Sequence, residues 1–209
     1  MRLRLATTLL LIAGFAATAK ADDFVTNGNF SPANAGLGYG AVSGWTASGT
    51  SGLFGSNGSG GTFWDNGTLP SGDTTVGFLQ GNENFSQTLT GLTVNGVYTL
   101  SYVENARMCN STCDADPTLT VLLGGSPLSS TLITPVGGSN PFVFVTETFT
   151  ASASSEILEF SSNTGGADGT LLLSDVAVST ATPEPSSLIL LGTGIVGAAG
   201  MMRRRFLRS

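Results

Sequence analysis

Asn95-Gly96-Val97-Tyr98-Thr99-Leu100-Ser101-Tyr102-Val103 is the stretch that decides the fold class. In an extended chain Tyr98, Leu100 and Tyr102 fall on one face. Asn-Gly ahead of such a run is a turn signal, and it predicts a hairpin with a strand ending near Leu89. Outward from there the pattern repeats: Leu119, Val121 and Leu123 share another face. Strands are expected at 24–26, 75–79, 85–89, 97–103, 119–123, 142–149, 156–161 and 170–178. No part of residues 22–182 sustains a 3.6-residue period. About eight strands and no long helix predict an all-β chain, a jelly-roll β-sandwich. The Gly-, Ser- and Asn-rich stretch 46–74 reads either as an elaborate surface loop or as short strands.

Charge narrows the function. The chain has 209 residues, no His, and only 11% charged residues, against a usual figure of about 25%. Without His there is no Ser-His-Asp triad, no Cys-His dyad and no His-ligated zinc. Residues 22–182 hold thirteen carboxylates and one basic residue, Arg107, a formal charge of −12. Such a surface repels nucleic acid and attracts divalent cations.

The remaining basic residues sit at the two ends. Arg2 and Arg4 precede the apolar segment 5–17, and Ala19-Lys20-Ala21 supplies the small residues of a cleavage site before Asp22. This reads as a signal peptide, 1–21, for Sec export. At the other end Pro183-Glu184-Pro185 lies in a linker, 180–187. An apolar segment, 188–202, and a basic tail, 203–209, with Arg203, Arg204 and Arg205 follow. As a helix the apolar segment would rise ~22 Å, marginal for an inner-membrane transmembrane helix. The arginines should stay cytoplasmic, which puts the ectodomain, 22–179, outside.

The order Pro-Glu-Pro, apolar run, arginine cluster resembles the PEP-CTERM sorting signal of bacterial surface proteins. That resemblance implies an exosortase-type transpeptidase as partner, retention at the inner membrane, and transfer to the cell surface or extracellular matrix. The body has its own resemblance. Val25-Thr26-Asn27-Gly28-Asn29-Phe30, Gly44-Trp45-Thr46, Gln87-Thr88-Leu89-Thr90-Gly91-Leu92 and Leu172-Leu173-Ser174-Asp175-Val176-Ala177-Val178 are similar to segments of galactose-binding-domain-like jelly rolls. Carbohydrate-binding modules share that fold. The likeness implies a structural Ca²⁺ between the first and last strands, with Asp175 as the last-strand acid. Asn29, Ser31 and main-chain carbonyls near Gly28 could supply further oxygens, and Asp175 could instead accept hydrogen bonds from turn amides. Ser31 stands where an acidic residue is common in the group.

Further candidates come from residue chemistry. Cys109 and Cys113 suit a local disulfide after export; a zinc site would need two more ligands. Trp64 beside Asp65, and Tyr39, Trp45, Phe63 and Tyr102, are possible sugar platforms, each competing with a place in the core. Arg107 could clamp a uronate or a sugar diol, or pair internally with Glu104, Asp114 or Asp116. Three functions follow in order: a non-enzymatic surface protein binding extracellular polysaccharide, a structural matrix protein without a ligand, and a carbohydrate-active enzyme using paired carboxylates.

Overall fold

The computed structural model describes residues 24–31, 37–55, 68–70, 72–107, 116–134 and 142–181. The expected alternation is realised in β6, Val97–Ala106, which turns Tyr98, Leu100 and Tyr102 into the core. Ten further strands surround it: β1 (Gly38–Tyr39), β2 (Thr46–Ala47), β3 (Ser51–Gly55), β4 (Thr75–Gln80), β5 (Asn84–Thr90), β7 (Thr118–Leu123), β8 (Ser126–Leu132), β9 (Val143–Thr150), β10 (Ser155–Asn163) and β11 (Thr170–Thr180). They form two antiparallel sheets, in the order β1-β3-β4-β11-β6-β9 and β2-β5-β10-β7-β8. The described residues contain no helix.

The hairpin expected at Asn95-Gly96 does not form. β5 pairs with β2 and β10, whereas β6 pairs with β11 and β9 in the other sheet. Asn95 does take a left-handed turn conformation, φ 64°. Its N–H, however, bonds Ala151 O at 2.8 Å, and Ala151 N–H returns to Gly96 O at 3.0 Å. Leu92 is buried within the connection. Phe85 and Leu89 therefore share the core with Tyr98 and Leu100 from opposite sheets.

Residues 24–26 are not a ladder strand either. Phe24 N–H bonds Val178 O, but the Gln87 side chain takes over at Thr26. Its Oε1 accepts from Thr26 N–H (2.6 Å) and its amide donates to Thr26 O (2.9 Å). One side chain thus satisfies two backbone groups that a sheet would otherwise pair.

Between the sheets lies an aromatic chain. Phe30 stacks on Trp45 with centroids 5.2 Å apart and planes 12° from parallel; Phe85, Phe160 and Tyr102 continue it. Each such side chain, fully buried, contributes about 2 kcal/mol by area. The six-stranded sheet is also apolar on its outer face. Phe54, Val76, Phe78, Val103 and Leu172 alternate with the core residues and cluster with Phe142, with Leu69 packed against them. One end of this outer face carries the polar cluster described next.

Candidate functional site

Arg107 directly follows β6, and its N–H bonds Thr170 O at 3.0 Å. The register pairs Leu171 with Ala106 and Thr170 with Gln80, so Gln80, Thr170 and Arg107 form one row across the sheet. All three lie on the Phe78–Leu172 face. Tyr39 stands beside them. It is paired with Gly52, its ring edge-on to Phe78 at 5.3 Å, and it is 54% exposed. Tyr39 Oη donates to Gln80 Oε1 at 2.9 Å, and Gln80 Nε2 donates to Asp168 Oδ1 at 3.1 Å. Burial pulls the Arg107 guanidinium below its ordinary range, while nearby Asp168 and Tyr39 act to hold it up. The Thr170 hydroxyl, fully buried in this row, has no hydrogen-bond partner. Aromatic face, amide, carboxylate and guanidinium thus converge at one end of the sheet.

Glycine makes this approach feasible. A Cβ on Gly52 would lie 2.0 Å from Gly38 O and 2.8 Å from the Phe78 ring. Gly38 and Gly40, flanking Tyr39, have φ of 113° and 147°, which side-chain-bearing residues rarely adopt. Gly52→Ala should therefore displace β1 and lower the melting temperature. An unchanged melting temperature would show that β1 need not lie where it does.

Tyr102 is corrected as a sugar platform. It is 2% exposed, its ring is edge-on to Phe160, and its hydroxyl donates to Glu147 Oε1 at 2.9 Å. Ser129 Oγ, from the other sheet, donates to the same oxygen at 2.6 Å, so Tyr102 helps close the seam between β8 and β9. Burial and Glu147 push the Tyr102 phenol far up, and they push the buried Glu104 carboxyl up to about 7. Glu104 is not set against Arg107, because alternation along β6 places the two on opposite faces, whereas Asp168 is near enough to act on it; Asp114 lies outside the described residues. Trp45 is a core residue, its Nε1–H bonded to Asn27 O at 3.0 Å. Trp64, Asp65, Cys109, Cys113, the signal segment with Ala19, Ala21 and Asp22, and the apolar and arginine parts of the tail lie outside the described residues. So do Pro183, Glu184 and Pro185.

Two residues expected at the Ca²⁺ site come together. Asn29 and Asp175 line a cavity of about 330 Å³ with Asn27, Gly28 and Val176 among its other walls. Asp175 sits in a bulge of β11 with φ 51°. Ser31 does not line it; its N–H is capped by Asn27 Oδ1 at 2.8 Å. Among the described residues no three Asp, Glu, Cys or His converge as a metal-binding group. Asp73 lies near enough for Asp175 to help raise its carboxyl above the usual range, after burial, and against the Ser174 hydroxyl bond.

Gln80, Asp168 and Thr170 carry no motif. They are far apart in sequence and meet only through the β4–β11 pairing. The one available signal is alternation, which puts Gln80 on the face of Val76 and Phe78.

Residues 181–205 match the PEP-CTERM protein-sorting motif, a mark of exported proteins. No curated protein matches the chain in sequence. Among solved structures, a cyclase from Fischerella sp. TAU is similar over 79% of this chain and all of its own, at 14% identity and a TM-score of 0.58. The Stig cyclase Fisc of the same source, in complex with an indole compound, gives 15% identity, the same coverage and a TM-score of 0.56. The CBM22-1 xylan-binding domain of Paenibacillus barcinonensis Xyn10C matches at 16% identity and a TM-score of 0.46, over 80% of this chain and all of its own. The cyclase likenesses show the fold: the chain is an all-β sandwich with a PEP-CTERM sorting motif.

Proposed function

We propose that this is a non-catalytic surface or matrix protein that binds extracellular polysaccharide through the Tyr39 face. The observation carrying this is an exposed aromatic ring whose hydroxyl is tied, through Gln80, to a carboxylate beside the only arginine between residues 22 and 182. Aromatic faces suit the C–H faces of pyranose rings, and fixed polar groups alongside orient the hydroxyls. Tyr39→Ala should reduce retardation in gels containing the cognate polysaccharide about tenfold or more without changing the melting temperature. Unchanged retardation would remove this face as the site.

In this reading the tail hands the protein to an exosortase-type transpeptidase. Pro183 and Pro185 favour an extended, accessible chain. The mature protein should begin at Asp22 and lack the segment from about Leu188. Glu184→Ala should leave precursor in the inner membrane; normal processing of that variant, seen by intact mass, would rule the motif out as the signal.

Asp175 and Asn29 are assigned as side-chain ligands of a structural Ca²⁺. A hard cation takes oxygen ligands, and one carboxylate with neutral oxygens implies weak binding. Asp175 holds a left-handed conformation that Asn also tolerates. Asp175→Asn should therefore keep the fold and abolish a Ca²⁺-dependent rise in melting temperature. The same melting curve for the unsubstituted protein in Ca²⁺ and in chelator would exclude the site.

A further inference from the structure

We infer that the ligand of the Tyr39 face is a neutral glycan, held by adjacent hydroxyls that bridge Asp168 and Arg107, and not a uronic-acid polymer. The inference rests on the glycan-binding reading and narrows it. An isolated arginine would favour a ligand carboxylate, but the β4–β11–β6 register and the Gln80–Asp168 hydrogen bond bring the Asp168 carboxylate to the same end of the row as Arg107, near enough to act on it electrostatically. Together they offer one strong acceptor and one strong donor of opposite charge. A vicinal diol answers both, accepting from the guanidinium and donating to the carboxylate. A ligand carboxylate would meet Asp168 as a like charge.

The wider surface points the same way. A body of formal charge −12 repels a polyanion, and screening by salt would be needed before one could approach. Gln80 extends the polar row: it accepts from Tyr39 through its oxygen and donates to Asp168, which fixes the orientation of its amide. Gln80 and Asp168 lead away from the exposed Tyr39 ring, so a pyranose stacked on that ring has its hydroxyl edge directed along them.

The test is affinity electrophoresis of the exported protein against xylan, galactan and β-glucan as neutral polymers, and against polygalacturonate and alginate as uronic-acid polymers. Each is run at low salt and at about 0.5 M NaCl, where exposed charges are largely screened. At least one neutral polymer should retard the protein equally at both salt levels. Asp168→Asn should weaken that retardation about tenfold, the loss of one charge-assisted hydrogen bond, and Tyr39→Ala should remove it. Retardation by a uronic-acid polymer alone, lost in high salt and strengthened by Asp168→Asn, would overturn the inference while leaving glycan binding intact. Retardation by none of the polymers would overturn the glycan-binding reading and this inference with it.

Discussion

Replacing Gly28 by alanine should destabilise the domain by about 3 kcal/mol or more, a large part of the roughly 5–15 kcal/mol by which a domain is ordinarily stable. A Cβ there would lie 1.8 Å from Val176 O and 2.9 Å from Val176 C. Both are backbone atoms of β11, so no side-chain rotation relieves the clash. The contact is also a bonded one, since Val176 N–H donates to Gly28 O at 3.0 Å. Moving Gly28 away breaks that bond and shifts its neighbours. Asn27 and Phe30 both have left-handed φ, 54° and 50°, and together they turn the Phe30 ring into the core. Phe30 is fully buried against Trp45, Phe85 and the backbone of Gly77. Any shift of Gly28 therefore reaches the centre of the sandwich. Urea unfolding measures the loss directly; a midpoint unchanged by the substitution would mean that this segment does not pack as described.

Stability should also fall as pH rises through neutrality. Burial first, and Glu147 second, raise the Glu104 carboxyl to about 7 in the folded chain, against 4.5 as its ordinary value. The folded state then holds a proton that the unfolded state has already released. Its stabilising effect is complete below about 4.5 and is lost as pH climbs through 7. Asp73, also raised, chiefly by burial, adds to the same slope from the acid side. Glu156 works in the opposite sense. Although burial opposes it, hydrogen bonds from Ser152 and Ala153 pull its carboxyl down, so its contribution is present above its ordinary value and lost on acidification. Maximum stability is expected near pH 5. Glu104→Gln should flatten the fall between pH 5 and 8 and stabilise the protein at pH 8 by about 1–2 kcal/mol, after allowance for solvent near the seam. A wild-type melting temperature that is constant or rising over that range would contradict the placement of Glu104.

Much of this architecture was legible from residues alone because alternation is a local property. β6, β7 and β10 place every second residue in the core, and their patterns show it. β8 is not legible that way. Ser126–Leu132 is an edge strand, mostly exposed, and it tolerates Pro127 because an edge needs no bond on one side. Its signal was the turn before it: Gly124 and Gly125, both with positive φ, join it to β7 as a two-residue hairpin. Asn95-Gly96 shows the converse. A turn dipeptide fixes the local backbone, but whether the flanking strands pair or part depends on what each buries. Leu92, sealed in the connection, pulls the chain across to the other sheet.

The candidate site divides along the same line. Tyr39 and Arg107 are chemically conspicuous, one an aromatic between glycines, the other the one basic residue between 22 and 182. Gln80, Asp168 and Thr170 gain their meaning only from the β4–β11–β6 register. Tyr102 misleads because an aromatic ring reads alike on either face of a sandwich until its neighbours are known. Asp175 is marked by resemblance and Asn29 by its side-chain oxygen; both line one cavity at the bulge of β11, whereas the Ser31 N–H is capped by Asn27.

The most direct test of the account is an amide-resolved NMR titration of the exported domain with an oligosaccharide of whichever neutral polymer retards it. Shifts should concentrate at Tyr39, Gln80, Asp168, Thr170 and Arg107, leave the outer face of the five-stranded sheet unmoved, and vanish in Tyr39→Ala. Shifts centred on Thr88, Thr120 and Ser161 of that other face, or persisting unchanged in Tyr39→Ala, would contradict it.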